Sequence, residues 1–600
     1  MRNRKLKTTL LSTAAMLAVA ATVTSVRPVA AESLLAELAP VFNFVDQLVG
    51  DIQTPSPVNA LKTQTPIKHL VVIFNENRSF DHYFGTYPKA MNPPGETPTF
   101  TAARNTPIPN NYESNPTLLN NNPNLNPANG ASASNPFRFD RTQANTADQD
   151  HGYTPEQLAQ DGGKSDLFPL DTGVATKGGA GVFATTAQVM GYFDGNTVTA
   201  FWNYAQNFAM SDNSWDDNFG PSTPGALNMF SGQTNGATFP VGVPAGAPPA
   251  AVGQLLAAAD AGVLNSDGSF TLTGDIDPAG DVCSSPSVQV QMTGKNIGDL
   301  LNASNIPWGS FVGGFDLQTV NANGTTGCHR STVGQLVSAG DYTPHHIWFQ
   351  YYTSTANPTH ARPLASPAAY GLTKAPGSTT ADPANHAYDL LDFTAALNAG
   401  NFPAVSFIKM AAFQDGHPGN SDPLDEQTGL VNLINMLQQQ PDWSSTAVII
   451  AYDDSDGWYD HAFAASGSTA HASFAAIPVV PGVDVDALNG NGVCGTLGVT
   501  PVPNGLSGQP VNGRCGPGTR QPFVVISPYA KKNYISHVLI SQASIPQFIE
   551  DNWLKSQRIG GGSFDATTGS IMDMFDFDQI VTEGNARKLK LDPIMGTVIN

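Results

Sequence analysis

Four short apolar runs, each ending abruptly in polar residues, constrain this chain more than any other feature. They lie at 70–74, 405–408, 448–451 and 523–526. Runs of this length, broken only by Ser406 in the second, suit strands buried on both faces of a parallel sheet. Between the second and third runs, Leu430, Val431, Leu433, Ile434 and Leu437 fall on one face of a helix. Strand, helix, strand at this spacing predicts an α/β fold with a mostly parallel central sheet and helices on both faces. Ligands of such sheets gather beyond the carboxyl ends of the strands.

Three of the runs lead directly into chemistry there. The first is followed by Asn75, Glu76, Asn77, Arg78 and Ser79, and the second by Lys409 and then Gln414, Asp415, Gly416 and His417. The third runs into Tyr452, Asp453, Asp454, Ser455, Asp456 and Gly457, with Asp460 and His461 beyond. Adjacent carboxylates such as Asp453 and Asp454 repel unless a cation neutralises them. Glu76 and Asn77 add oxygens, so the set predicts one divalent ion held by hard ligands, with Ca, Mg or Mn favoured. The plain alternative is a solvated acidic loop.

The stretch DNFGPSTPG at 217–225 holds a second candidate. Pro224 suits the first turn of a helix, and a helix from Pro224 places Ser222 or Thr223 at its cap. Either hydroxyl could simply cap the helix. Alternatively, Ser222 is a nucleophile whose proton is loosened by the metal and by the helix end.

The rest of the chain sets the context. Net charge is −21, which repels nucleic acid and anionic membranes as partners. Only 13% of residues are charged, with 57 Gly and 46 Pro, so long ordered surface loops are expected. Residues 1–31 open with four basic residues in the first seven, followed by an apolar stretch and small residues before Glu32, the pattern of a secretory signal. Export to the periplasm or beyond is therefore expected, without stable membrane insertion after cleavage. Residues 32–65 read as a leader segment, with a short helix over 33–52, and 66–600 as a single catalytic domain. Within that domain, 105–136 is an Asn- and Pro-rich surface loop and 232–280 a candidate insertion. Four cysteines in an exported chain predict two disulfides, Cys283–Cys328 and Cys494–Cys515 in the simplest pairing.

NENRSFDHYFG, DQDHGY, DNFGPSTPG, TPHHIWFQYY, DGHPG and AYDDSDGWYDH occur in this order along the chain. Together they resemble the bacterial phosphoesterase family of secreted phospholipases C and acid phosphatases. The resemblance implies an alkaline-phosphatase-like sandwich, a phosphate ester or phospholipid headgroup as substrate, and one metal. It implies that Glu76, Asn77, Ser222, Asp453 and Asp454 bind that metal and that Ser222 is the nucleophile. It further implies that His151, His345, His346 and His417 hold phosphoryl oxygens, more strongly when protonated, which favours mildly acidic pH. The chain departs from the family pattern at Gly225 and Ala226 beside the nucleophile, and at Asp456. Family phospholipases usually carry C-terminal β-rich domains, and the chain after Trp553 leaves no room for them. The leading expectation is therefore an acid phosphatase with a phosphoserine intermediate. The alternatives are a phospholipase C or, from another class, a non-catalytic secreted binding protein.

Overall fold

The computed structural model describes residues 56–176, 184–244, 246–333, 338–464 and 503–599. The expected signal segment, the helix over 33–52 and Cys494 lie outside the described residues, and with Cys494 goes the second expected disulfide. The first disulfide, Cys283–Cys328, is present.

Eight strands form the central sheet. They are β1 (His69–Asn75), β2 (Ala209–Ser211), β3 (Trp308–Val312), β4 (Ala387–Asp389), β5 (Val405–Lys409), β6 (Thr446–Tyr452), β7 (Phe523–Ile526) and β8 (Tyr534–Ser536). Their spatial order is β4-β3-β5-β1-β6-β7-β2-β8. The five strands from β4 to β6 run parallel, with β1 at the middle, flanked by β5 and β6. The fourth apolar run forms β7, which pairs antiparallel to both β6 and β2. An apolar run reports burial on both faces but carries no direction, so the sheet is mostly rather than wholly parallel.

Helices α1 (Ser222–Ser231) and α2 (Pro423–Leu437) cover opposite faces of the sheet. Phe74 packs edge-on against Trp348, and Phe407 against Phe230 of α1. On the other face, Asn75 and Tyr452, paired in register, both donate to Glu426 of α2, at 2.8 and 2.7 Å. The expected helix between the second and third runs is α2; Asp422 caps it and Pro423 opens it.

The Asn-rich segment is more than a surface loop. It runs through three 3₁₀ turns at Pro116–Leu119, Pro123–Leu125 and Pro127–Ser132. Buried Asn111 and Asn124 reach backbone carbonyls of neighbouring segments, as when Asn124 Nδ2 donates to Ser165 O at 2.8 Å, and buried Asn122 donates to Leu118 O within the segment. Composition alone predicts solvation, but an Asn side chain can supply the hydrogen bonds that regular structure would otherwise give. The 232–280 segment builds a helix, Pro249–Ala258, and a hairpin, Gly262–Leu264 with Phe270–Leu272. It sends Asp260 to Thr154 and Asp275 to the backbone of Thr223.

Candidate active site and metal centre

Parallel strands end at one edge, and the ladder carries past those ends. Asp453 N–H donates to Asn75 O, Glu76 N–H to Asp415 O, and Arg78 N–H to Asp454 O. Three loops far apart in sequence are thereby locked side by side at the end of β1. The start of α1 reaches them from the sheet face. Its Gly225 makes that approach possible: a Cβ there would lie 1.8 Å from Asp453 O. The departure at this position is thus a packing requirement of the site, because only glycine lets the helix press onto the Asp453 backbone.

Ser222 is the first residue of α1, not a cap before Pro224 as its sequence suggests. Its Oγ lies 2.9 Å from Asp454 Oδ2 and 3.1 Å from Glu76 Oε2. Thr223 is turned away and donates its hydroxyl to His345 O at 3.1 Å. The carboxylate oxygens of Glu76, Asp453 and Asp454 lie within 4.8 Å of one another. Asn77 adopts a left-handed backbone, φ 53°, which Asn tolerates better than most residues. Its N–H donates to Asp453 Oδ1 at 3.2 Å, and its Nδ2 to Asp456 Oδ1 at 3.2 Å. Asn77 Oδ1, fully buried, has no hydrogen-bond partner. A buried amide oxygen without a donor, beside three clustered carboxylates, is the donor set of a hard divalent cation, and these residues fit one.

The four histidines line the same space. His346 Nδ1 is 2.9 Å from Glu76 Oε1. The His346 and His417 rings lie parallel with centroids 5.8 Å apart, and His151 meets His417 at 6.2 Å. His345 packs against His346 at 4.4 Å and reaches Asp277 at 3.4 Å. Their protonation splits. Burial, with the other three histidines adding to it, holds His346 well below the usual imidazole range. Burial likewise lowers His417. His151 rises despite burial because Asp454, Asp456 and Asp148 face it, and His345 rises in the same way beside Asp275 and Asp277. The charged form is thus favoured at His151 and His345 and disfavoured at His346 and His417.

Three further residues build the site, and sequence reasoning missed two of them, Glu156 and Gln542. Glu156 accepts from Ser455 Oγ at 2.6 Å and from Gly220 N at 3.0 Å, tying the acidic loop to the turn before Ser222. Burial pushes its carboxyl up to about 7. Gln542, just before helix α3 (Ser544–Trp553), donates to Asp216 Oδ1 at 2.9 Å and to Asp453 O. Lys409, the last residue of β5, pairs with Glu76 Oε1 and lies 3.7 Å from Asp453 Oδ2. Neither Glu156 nor Gln542 sits in a motif, whereas Lys409 stands out in the sequence by its position at a strand end. Arg78 donates to Tyr83 Oη at 2.8 Å and to Gly416 O, which pins the His417 loop.

Residues 67–554 match the Phosphoesterase family, and the chain belongs to that family. It is therefore a hydrolase acting on phosphoric ester bonds. Relatives include "Phospholipase C A" of Mycobacterium tuberculosis, 22% identical over 78% of this chain and 69% of that protein. "Phospholipase C B" of the same organism is 21% identical over 86% of this chain and 78% of its own length. "Non-hemolytic phospholipase C" of Pseudomonas aeruginosa is 29% identical over a shorter stretch, 26% of this chain and 20% of that protein.

Proposed function

We propose that this protein is an exported, metal-dependent phosphomonoesterase of alkaline-phosphatase-like kind, working through a phosphoserine at Ser222. One observation carries the reading: a serine hydroxyl at a helix start, within 3.1 Å of two buried carboxylates that also belong to the metal-donor set. Ser222 Oγ attacks phosphorus and its proton passes to Asp454 or Glu76. The P–O bond to the alcohol breaks, and the helix start and histidines hold the phosphoryl oxygens. Water then attacks the phosphoserine and releases phosphate, restoring the hydroxyl. Glu76, Asn77, Asp453 and Asp454 would hold a divalent cation, which supplies Lewis-acid charge stabilisation when bound. Export rests on the N-terminal charge and apolar pattern. Among the described residues, no helix is long and apolar enough to cross a membrane.

A second reading, phospholipase C, is favoured by an open cleft of about 360 Å³ beside Pro221, lined by Asp150, Asp260 and Asp275. Its carboxylates suit a cationic headgroup, and the relatives' names agree. Hydrolysis of p-nitrophenyl phosphate and of p-nitrophenylphosphorylcholine, across pH and with and without chelator, separates the two. Turnover of the phosphorylcholine ester alone removes the monoesterase reading. Turnover of neither ester, with metal restored, removes both.

A further inference from the structure

Lys409 is a fully buried lysine at the end of a central strand. Its ammonium touches one oxygen on each of two carboxylates whose other oxygens are committed elsewhere. Glu76 offers Oε1 to Lys409 while its Oε2 faces Ser222 Oγ at 3.1 Å. Asp453 offers Oδ2 at 3.7 Å while its Oδ1 accepts the N–H groups of Asn77 and Asp454, at 3.2 and 2.9 Å. Both carboxylates belong to the cluster that fits a divalent cation. Lys409, His346 and Asp415 also line a small cavity of about 10 Å³. Asp415 Oδ2, also buried, has no hydrogen-bond partner. The ammonium therefore has a third carboxylate, Asp415, available across a space that holds about one water.

We infer that Lys409 is the resident cation of this pocket, a positioning residue that offsets Glu76 and Asp453 in the metal-free protein and competes with the divalent ion for their oxygens. The inference rests on the metal site proposed above. Two unit charges a few ångströms apart in a buried site interact strongly, so the competition is large enough to measure. It also sets Glu76: with Oε1 held by the ammonium, Oε2 is left facing the serine.

The consequence is opposite to that of an ordinary structural side chain. Removing the lysine's charge destabilises the metal-free protein and tightens divalent-ion binding, whereas loss of mere packing weakens both. The test is calorimetric titration of Mn²⁺ and, separately, Ca²⁺ into the chelator-treated full chain, with thermal melts before and after loading. Lys409→Met is expected to bind at least about tenfold tighter than wild type. Its melting temperature should drop without metal and recover more on loading than wild type does. Lys409→Arg, which keeps the charge, should stay within about threefold of wild-type affinity. If Lys409→Met fails to fold, Lys409→Gln carries the same expectation. Unchanged or weaker binding by the neutral variants, with wild type binding metal, overturns the role of Lys409 alone. Absence of ion binding by wild type overturns the metal site and this inference together.

Discussion

At the scale of single residues, the two adjacent hydroxyls at the start of α1 are separated by what each is bonded to. Ser222 Oγ faces the carboxylates, whereas the Thr223 hydroxyl is spent on a backbone carbonyl. Ser222→Ala should therefore remove nearly all phosphoesterase turnover, by about three orders of magnitude or more, with unchanged circular dichroism and melting temperature. Thr223→Ala should retain substantial kcat. A Ser222→Ala protein keeping more than about a tenth of wild-type kcat would reverse this assignment. Asn77 makes a different kind of contribution. Its left-handed backbone fixes the loop and its amide oxygen is the buried acceptor without a donor. Asn77→Ala should weaken divalent-ion binding and activity together, with partial rescue by excess metal. A variant that loses activity at unchanged metal affinity would place Asn77 outside the metal set.

At the scale of elements, the sequence carried the sheet and the strand-end chemistry, because short apolar runs and the polar residues that follow them are local signals. The direction of β7 was not local: it depends on pairing with β6 and β2. The start of α1 was misplaced because Pro224 is tolerated anywhere in the first turn, so it marks that turn without fixing its first residue. Glu156 and Gln542 were illegible, since their partners Ser455 and Asp216 lie 299 and 326 positions away. The Asn-rich segment shows the same limit from the other side: its composition reads as solvated, yet Asn124 accepts from Phe168 N at 3.0 Å and donates to Ser165 O. Asn124→Ala leaves both backbone groups buried without partners. It should cost about 1–3 kcal/mol in chemical denaturation, without changing kcat for the folded enzyme. A cost under about 0.5 kcal/mol, the range of an ordinary surface change, would return this segment to the status of a surface loop.

At the scale of the molecule, the acidic composition meets extensive burial of carboxyl groups, and the result is a stability that leans toward acid. Burial pushes Asp217 up to about 7, Asp460 up to about 6 and Glu550 up to about 10. Each of these groups holds a proton in the folded chain at a pH where the unfolded chain has released it. The stability they confer is complete below the unfolded carboxyl value and is lost as pH rises through the folded one. Glu550 isolates the effect, because it belongs to α3 and contacts none of the proposed metal ligands. Neither Glu550 Oε1 nor Asp565 Oδ1 has a donor from another group, so a proton on Glu550, shared with Asp565, is what satisfies both. Arg558 Nη1 donates to the remaining Glu550 oxygen at 2.9 Å. Glutamine reproduces this arrangement without a titrating group: its amide donates to Asp565 and its carbonyl accepts from Arg558. Glu550→Gln should match or lie slightly below wild type at pH 5.5, then gain on it by about 2–4 °C at pH 8.5. Melts of the two proteins in matched buffers decide the matter, and a gap that stays constant with pH would show that Glu550 is ionised in the folded protein.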